Sequence, residues 1–276
     1  MRKKLVSVIV TTKNEQQNIK RLLESVNKQT YKKIELIVVD NHSKDLTKRI
    51  AKKITPLVFN AGPERSAQRN FGLKQSHGEF VFFVDADMEL SESVIESCVK
   101  LISKSKKTGM VVVNEISRGW RFWEKVKAFE RSFYNDSGDS SIEAARFFKT
   151  GLVKQIGGYD ESITGPEDWD LPERLKAKGF KQVRTSESIF HHEHIESLKD
   201  LARKKYYYGL RAHSYISKNK VSLVGAKTIY ILRPVFYKQW KKLIASPVLS
   251  LAMFLMLTVE QISGGWGFVK GKINKI

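Results

Sequence analysis

Cysteine is almost missing from this chain of 276 residues, with Cys98 the single one. A disulfide framework and a cysteine-based zinc site are therefore both excluded within the chain. Acids are scarce as well. Against 49 Lys and Arg stand 29 Asp and Glu, and the formal charge of +20 predicts attraction to nucleic acid, anionic lipid headgroups or a phosphorylated substrate. Glycine is lacking from TTKNEQQN, the stretch after the first strand-like run, so no glycine-rich phosphate loop stands there. The apolar run in MRKKLVSVIV is too short for a signal peptide and passes straight into TTKNE, so the protein is expected to be made and kept in the cytoplasm.

What is present is an alternation. With 41% hydrophobic residues the chain can bury one large core, or a domain of about 200 residues plus an appendage. Strand signals at LVSVIVTT, IELIVVD, PLVFN and FVFFVDAD alternate with helical patterns over Gln16 to Asn27, Lys44 to Ile54 and Ser66 to Gln75. This order predicts βαβ units and a mostly parallel sheet, with ligands gathered at the carboxyl ends of the strands. Those ends carry Thr11 to Glu15, Asp40 to Ser43, and Asp85 with Asp87. Residues i and i+2 of a strand point to one side, so Asp85 and Asp87 are expected to present their carboxylates together. Two such anions at the edge of an apolar sheet repel each other unless a cation or a set of donors compensates them.

Cys98 falls in a core-like helical pattern with Val94, Ile95, Val99 and Ile102. After a strand at Met110 to Glu115, the stretch RGWRFWEKVKAFERSFYND sets Phe122, Val126, Phe129 and Phe133 at helical spacing. It either docks on the core or lies at a membrane surface or acceptor groove. Beyond Leu198 the composition shifts. Residues 199–243 hold twelve Lys or Arg against one acid, Asp200, interleaved with aromatic residues. Then LIASPVLSLAMFLMLTV runs 17 residues without a charge, at the lower limit for crossing a bilayer, so an interfacial or re-entrant helix competes with a spanning one. Basic and aromatic residues before an apolar segment suit anionic headgroups. The division expected is an α/β domain over 1–198 and a helical, membrane-associating region over 199–276.

From Val6 to Leu210 the sequence resembles the inverting nucleotide-sugar glycosyltransferases of family 2, whose fold is called GT-A. Six elements in order carry the resemblance: VSVIVTTKNE, VVDNHSKD, GPERSAQRNFG, GEFVFFVDADMEL, GGYDE and GPEDWDLPERL. The resemblance implies an α/β GT-A fold and transfer from a nucleoside diphosphate sugar with Mn²⁺ or Mg²⁺. Oxygen ligands suit such hard cations at a charged leaving group. Asp87 is implied as metal ligand and Asp85 as a contact to the ribose or donor sugar. Asp40 is implied as acceptor for the base, with Thr11 and Glu15 lining the nucleoside pocket. Arg69, and less distinctly Arg65, is implied to pair with the diphosphate. The second acid of GPEDWD, Asp168, is implied as the base that takes the acceptor proton, although a carboxylate there could equally cap the following helix. His191, ahead of His192 and with His194 as loop, is implied as a further metal ligand, one that would favour manganese.

The acceptor expected is a polyprenyl phosphate or a glycan growing on one, lipid-linked and at the cytoplasmic face of the membrane. Two other classes compete. A nucleic-acid-binding protein accounts for the charge, but no helix-turn-helix, zinc finger or RNP-like motif is present and Asp85, Asp87, Glu167 and Asp168 go unexplained, so no nucleic-acid partner is expected. A sugar nucleotidyltransferase would want the glycine-rich loop that TTKNEQQN lacks.

Overall fold

The computed structural model describes residues 3–135, 145–165, 167–218 and 228–274. Pro166, which precedes Glu167 in the GPEDWDLPERL element, lies outside them. The chain divides into two compact units, Met1–Glu115 with Glu143–Glu161 and Glu167–His191, and Ile116–Ile142 with Ser162–Pro166 and His192–Ile276.

The first unit begins with β1 (Val6–Thr12), α1 (Ile19–Asn27), β2 (Ile34–Asp40), α2 (Thr47–Lys52), β3 (Val58–Asn60), α3 (Arg65–Gln75), β4 (Phe80–Asp85), β5 (Met88–Leu90) and α4 (Val94–Ser103). Next come β6 (Thr108–Arg118), which runs into the second unit, and α5 (Phe122–Asn135) within that unit. The chain returns with β7 (Ala145–Lys149), α6 (Thr150–Gln155), α7 (Glu167–Ala177) and β8 (Lys181–His192). The helices α8 (Leu198–Lys218), α9 (Pro234–Lys238), α10 (Trp240–Ala245) and α11 (Pro247–Asn274) complete the second unit.

The strands form one mixed sheet in the order β3-β2-β1-β4-β7-β6-β8-β5. β1 pairs in parallel with β2 and β4, and β2 with β3, as the βαβ alternation requires; β7 turns the sheet antiparallel against β4 and β6. β1 and β2 read as near-continuous apolar runs because both faces of a parallel sheet are covered. Val8 and Val10 enter one core with Leu22 and Ile95, while Ile9 enters the other with Phe83 and Leu171. Cys98 is buried in the first of these, on the expected helix face.

Local chemistry trims several elements. The Asp45 carboxylate accepts the Thr47 N–H at 3.0 Å and its hydroxyl at 2.5 Å, so α2 starts at Thr47 rather than Lys44. The FVFFVDAD strand is also shorter than expected. β4 ends at Asp85, Ala86 and Asp87 form a turn, and β5 begins at Met88.

In the second unit Val126 and Phe133 of α5 are buried with Leu201, Phe236 and Met256, so this helix is docked on protein along that face. Residues 116–135 thus pack with the C-terminal helices, ahead of a single cut at 198.

Candidate functional site

Register decides which polar groups meet. In the β1–β2 and β1–β4 ladders Thr12 is opposite Asp40 and Thr11 is opposite Asp85, so the strands deliver these groups to one edge. The Thr11 hydroxyl donates to Asp85 Oδ1 at 3.0 Å. Asp40 is fully buried, and its carboxylate accepts the Ser43 N–H at 2.8 Å and the Ser43 hydroxyl at 2.5 Å, closing the loop after β2. The Glu15 carboxylate accepts from Asn18 at 2.8 Å while its N–H donates to Thr47.

Arg69 lies on α3 with no exposed surface. Its Nη2 is 3.1 Å from Asp85, its Nη1 is 2.5 Å from Asp168 and 3.9 Å from Glu167. A guanidinium presents its donors in a fixed planar fork, which suits it to hold several carboxylates at once. Arg69 thus pairs with three of the chain's own acids. Arg65, partly exposed one turn earlier, is 3.1 Å from Glu167. Asp168 therefore does more than begin α7, since its carboxylate is taken by Arg69. Asp170 is buried and held by Arg174 at 2.7 Å.

Asp85 and Asp87 part company. With Asp87 in the turn after β4, the two carboxylates do not share a strand face, which corrects the i, i+2 expectation. Asp85 joins Thr11, Arg69 and Arg146, whereas Asp87 Oδ2 is 2.9 Å from His191 Nε2. The second contact follows from pairing of β5 with β8, which sets Met88 opposite His191. Among the described residues no three His, Cys, Asp or Glu side chains converge on one point. Asp87 and His191 do meet, and a carboxylate with an imidazole is a donor set that a divalent transition metal accepts, its other positions left to ligand oxygens and water. His194 is exposed and faces Glu196 at 3.4 Å.

Sequence reasoning missed Arg146, Glu115 and the role of Tyr159. Arg146 on β7 is buried, 3.4 Å from Asp85 through Nη1 and bonded to Glu115 through Nε. The signal was available: an arginine leading into Phe147 and Phe148 of a core strand needs an acid partner. The Tyr159 ring lies 5.0 Å from the Arg69 guanidinium carbon. Asn70 holds Tyr159 in place, donating to its carbonyl at 2.9 Å and accepting its N–H at 2.8 Å. Gly158 precedes it at φ +73, a left-handed conformation that favours glycine, and a side chain there would strike Asn70.

Three guanidinium groups, Arg65, Arg69 and Arg146, thus meet four carboxylates, Asp85, Glu115, Glu167 and Asp168. Burial acts to raise the Asp85 carboxyl, but Arg69, Arg146 and Arg65 overcome it and hold the group far below the usual range. The same balance lowers Asp168: burial opposes ionisation, and Arg69 and Arg146 reverse it. Glu167 goes the other way, raised by its burial despite Arg65. Burial also raises the Tyr159 hydroxyl, keeping it protonated beside Arg69.

Comparisons with known proteins give the family and the fold. The family model described as Glycosyl transferase family 2 matches residues 7–155. Glycosyltransferase AglE of Haloferax volcanii is 37% identical over 279 residues, covering 92% of this chain and 90% of its own. Poly(ribitol-phosphate) beta-N-acetylglucosaminyltransferase TarS of Staphylococcus aureus is 28% identical over 74% of this chain, which spans only 35% of TarS. In fold the chain resembles a crystal structure of TarS residues 1–349 with UDP-GlcNAc, with TM-score 0.56, 18% identity and coverage of 98% of this chain and 92% of that one. It also resembles the mannosyltransferase PcManGT of Pyrobaculum calidifontis in complex with GDP-Man and Mn²⁺, with TM-score 0.58, 19% identity and coverage of 98% and 74%. The matched span carries the strand ends of Thr11, Asp40 and Asp85 together with Arg69 and Arg146, and with AglE alike along nearly its whole length, this chain belongs to glycosyl transferase family 2 and is a glycosyltransferase.

Proposed function

We propose that the enzyme transfers a sugar, with inversion, from a nucleoside diphosphate sugar to a lipid-linked acceptor at the cytoplasmic face of a membrane. The observation that carries the reading is the buried guanidinium of Arg69, shared between Asp168 and Asp85. It ties the acid assigned to the acceptor to the acid assigned to the donor sugar. Membership of a glycosyltransferase family sets aside the nucleotidyltransferase reading.

Asp168 takes the proton from the acceptor hydroxyl. Lowered by Arg69, it stays ionised at neutral pH and has a free electron pair for that proton. The acceptor oxygen then bonds to the anomeric carbon as the carbon–oxygen bond to the diphosphate breaks, and that electron pair leaves with the nucleoside diphosphate. A single displacement inverts the centre without a covalent sugar on the protein. Asp85, fixed by Thr11, Arg69 and Arg146, is positioned to receive donor hydroxyls, with Thr11, Glu15 and Asp40 around the nucleoside. Asp87 and His191 would hold Mn²⁺ or Mg²⁺, which supplies positive charge to the departing diphosphate.

Membrane association, and with it a lipid-linked acceptor, is supported by the second unit, whose α11 is long and apolar enough to cross a membrane and carries large exposed apolar side chains. The test is transfer of label from a panel of nucleoside diphosphate sugars, with Mn²⁺, to a glycan carried on polyprenyl phosphate and to water-soluble sugars. Label extracted with the lipid supports the reading, and label found only on soluble acceptors overturns its acceptor half.

A further inference from the structure

The exposed apolar residues of α11 are not scattered. Val248, Leu251, Leu255, Ile262, Trp266 and Ile273 are each more than half exposed. At about 100° per residue they fall within roughly a 60° arc of the helix, while the buried Met256, Glu260 and Gly267 lie on the other side. The covered side is built for protein. An added Cβ at Gly267 would come within 2.2 Å of the Tyr206 carbonyl oxygen, and one at Gly271 within 2.0 Å of that of Leu210, so α8 runs beside the C-terminal half of α11 in parallel. At the middle of α11, Glu260 pairs with Lys127 of α5 at 3.0 Å and Lys205 of α8 at 3.4 Å.

Those neighbours decide how such a helix can meet a bilayer. A spanning α11 would carry α8, with exposed Arg203 and Lys204, and the Lys127–Glu260–Lys205 cluster to the depth of the acyl chains, where charges are costly. Lying flat, α11 buries its stripe and leaves those charges in water. The charge around the stripe fits an anionic surface. Lys270 and Lys272 are exposed on its two flanks at one end, and Lys238 and Lys241 are exposed ahead of the other, beside Trp240.

We propose that α11 lies in the plane of an anionic membrane surface, its apolar stripe sunk at the boundary of headgroups and acyl chains and these lysines on lipid phosphates. The inference rests on the membrane reading above and sharpens it from attachment to a stated geometry. The helix is about 42 Å long, so the stripe is an extended footprint rather than a single anchor point.

The experiment uses the full chain with vesicles of phosphatidylcholine alone and with a third phosphatidylglycerol. Expected are sedimentation with the anionic vesicles, about five-fold weaker binding for each of Lys270→Gln and Lys272→Gln, and at least ten-fold weaker binding for the double variant Leu251→Glu, Leu255→Glu at unchanged donor affinity. In bound protein, Lys241→Cys and Lys272→Cys should both react with an impermeant thiol reagent added outside. If one of them reacts only after the vesicles are opened, the helix spans; the flat geometry falls while membrane attachment stands. If the parent ignores vesicles and sediments as a dimer that the double glutamate variant splits, the stripe is a self-association surface, and both the geometry and the membrane reading fall.

Discussion

Nη1 of Arg69 sits 2.5 Å from Oδ1 of Asp168, joining a helix that follows β3 to one that precedes β8. That contact gives Asp168 a geometric role apart from its place in the first turn of α7. Asp168→Asn keeps size and most hydrogen bonding but loses the basic electron pair, so transfer is expected to fall by about 10² or more with donor affinity nearly unchanged. Rate and affinity measured on one preparation check it, and near-parental turnover would remove Asp168 from the chemistry. Since Arg69 lowers this carboxyl, the parent's loss of activity from protonation of Asp168 should begin only below the ordinary carboxylate range.

Asp87→Ala should abolish metal-dependent donor binding and leave the fold intact. The residue occupies a turn, is partly exposed, and meets His191 rather than the buried arginines. Calorimetric titration with a nucleoside diphosphate and Mn²⁺, beside a melting curve, separates the two effects. Parental Mn²⁺-dependent affinity would show the ion is held elsewhere.

Arg69→Met removes the cation that Asp85, Glu167 and Asp168 share, and a buried acid left without its partner typically costs about 3–5 kcal/mol. The sign of its pH dependence follows from Asp168. In the parent this carboxyl is lowered, so its contribution is present above the unfolded pKa of about 3.9 and is lost as pH falls through the lower folded value. Without the guanidinium, burial dominates, the folded protein binds the proton more readily than the unfolded one, and stability should recover on acidification. Denaturant melts between pH 7 and pH 4 should show the gap between parent and variant narrowing. A constant gap would mean that Arg69 acts through packing alone.

Gly267→Val forces a side chain against the Tyr206 carbonyl, and overpacking of this kind costs about 1–3 kcal/mol. Thermal unfolding of the second unit should move down while donor binding by the first unit is kept. An unchanged melt would mean that α8 and α11 separate at little cost.

Local chemistry made much of the molecule legible. Apolar runs bounded by polar ends marked β1, β2 and β4, because a strand covered on both faces has to be apolar throughout. The same pattern placed Thr11, Asp40 and Asp85 at one edge, since parallel strands joined by helices start and stop in step. The split of Asp85 from Asp87 was not legible. A strand continued to Asp87 and one stopped at Asp85 have the same sequence, and β5 exists only because β8, about a hundred residues later, pairs with it.

The sequence by itself determined the periodicities, the excess of positive charge and the order of acids along the chain, all of which arise from neighbours within a few residues. Tertiary structure alone decided which acid meets which arginine. Nothing near Arg69 in the sequence names a carboxylate partner, and burial made it the common partner of three carboxylates from β4 and α7. Arg146 found Asp85 and Glu115 only across the antiparallel turn of the sheet at β7. The physical reason is the cost of desolvation. A charge in the core has to be paired, but which of the distant opposite charges will reach it depends on strand order and register, and these are set by the packing of the whole sheet.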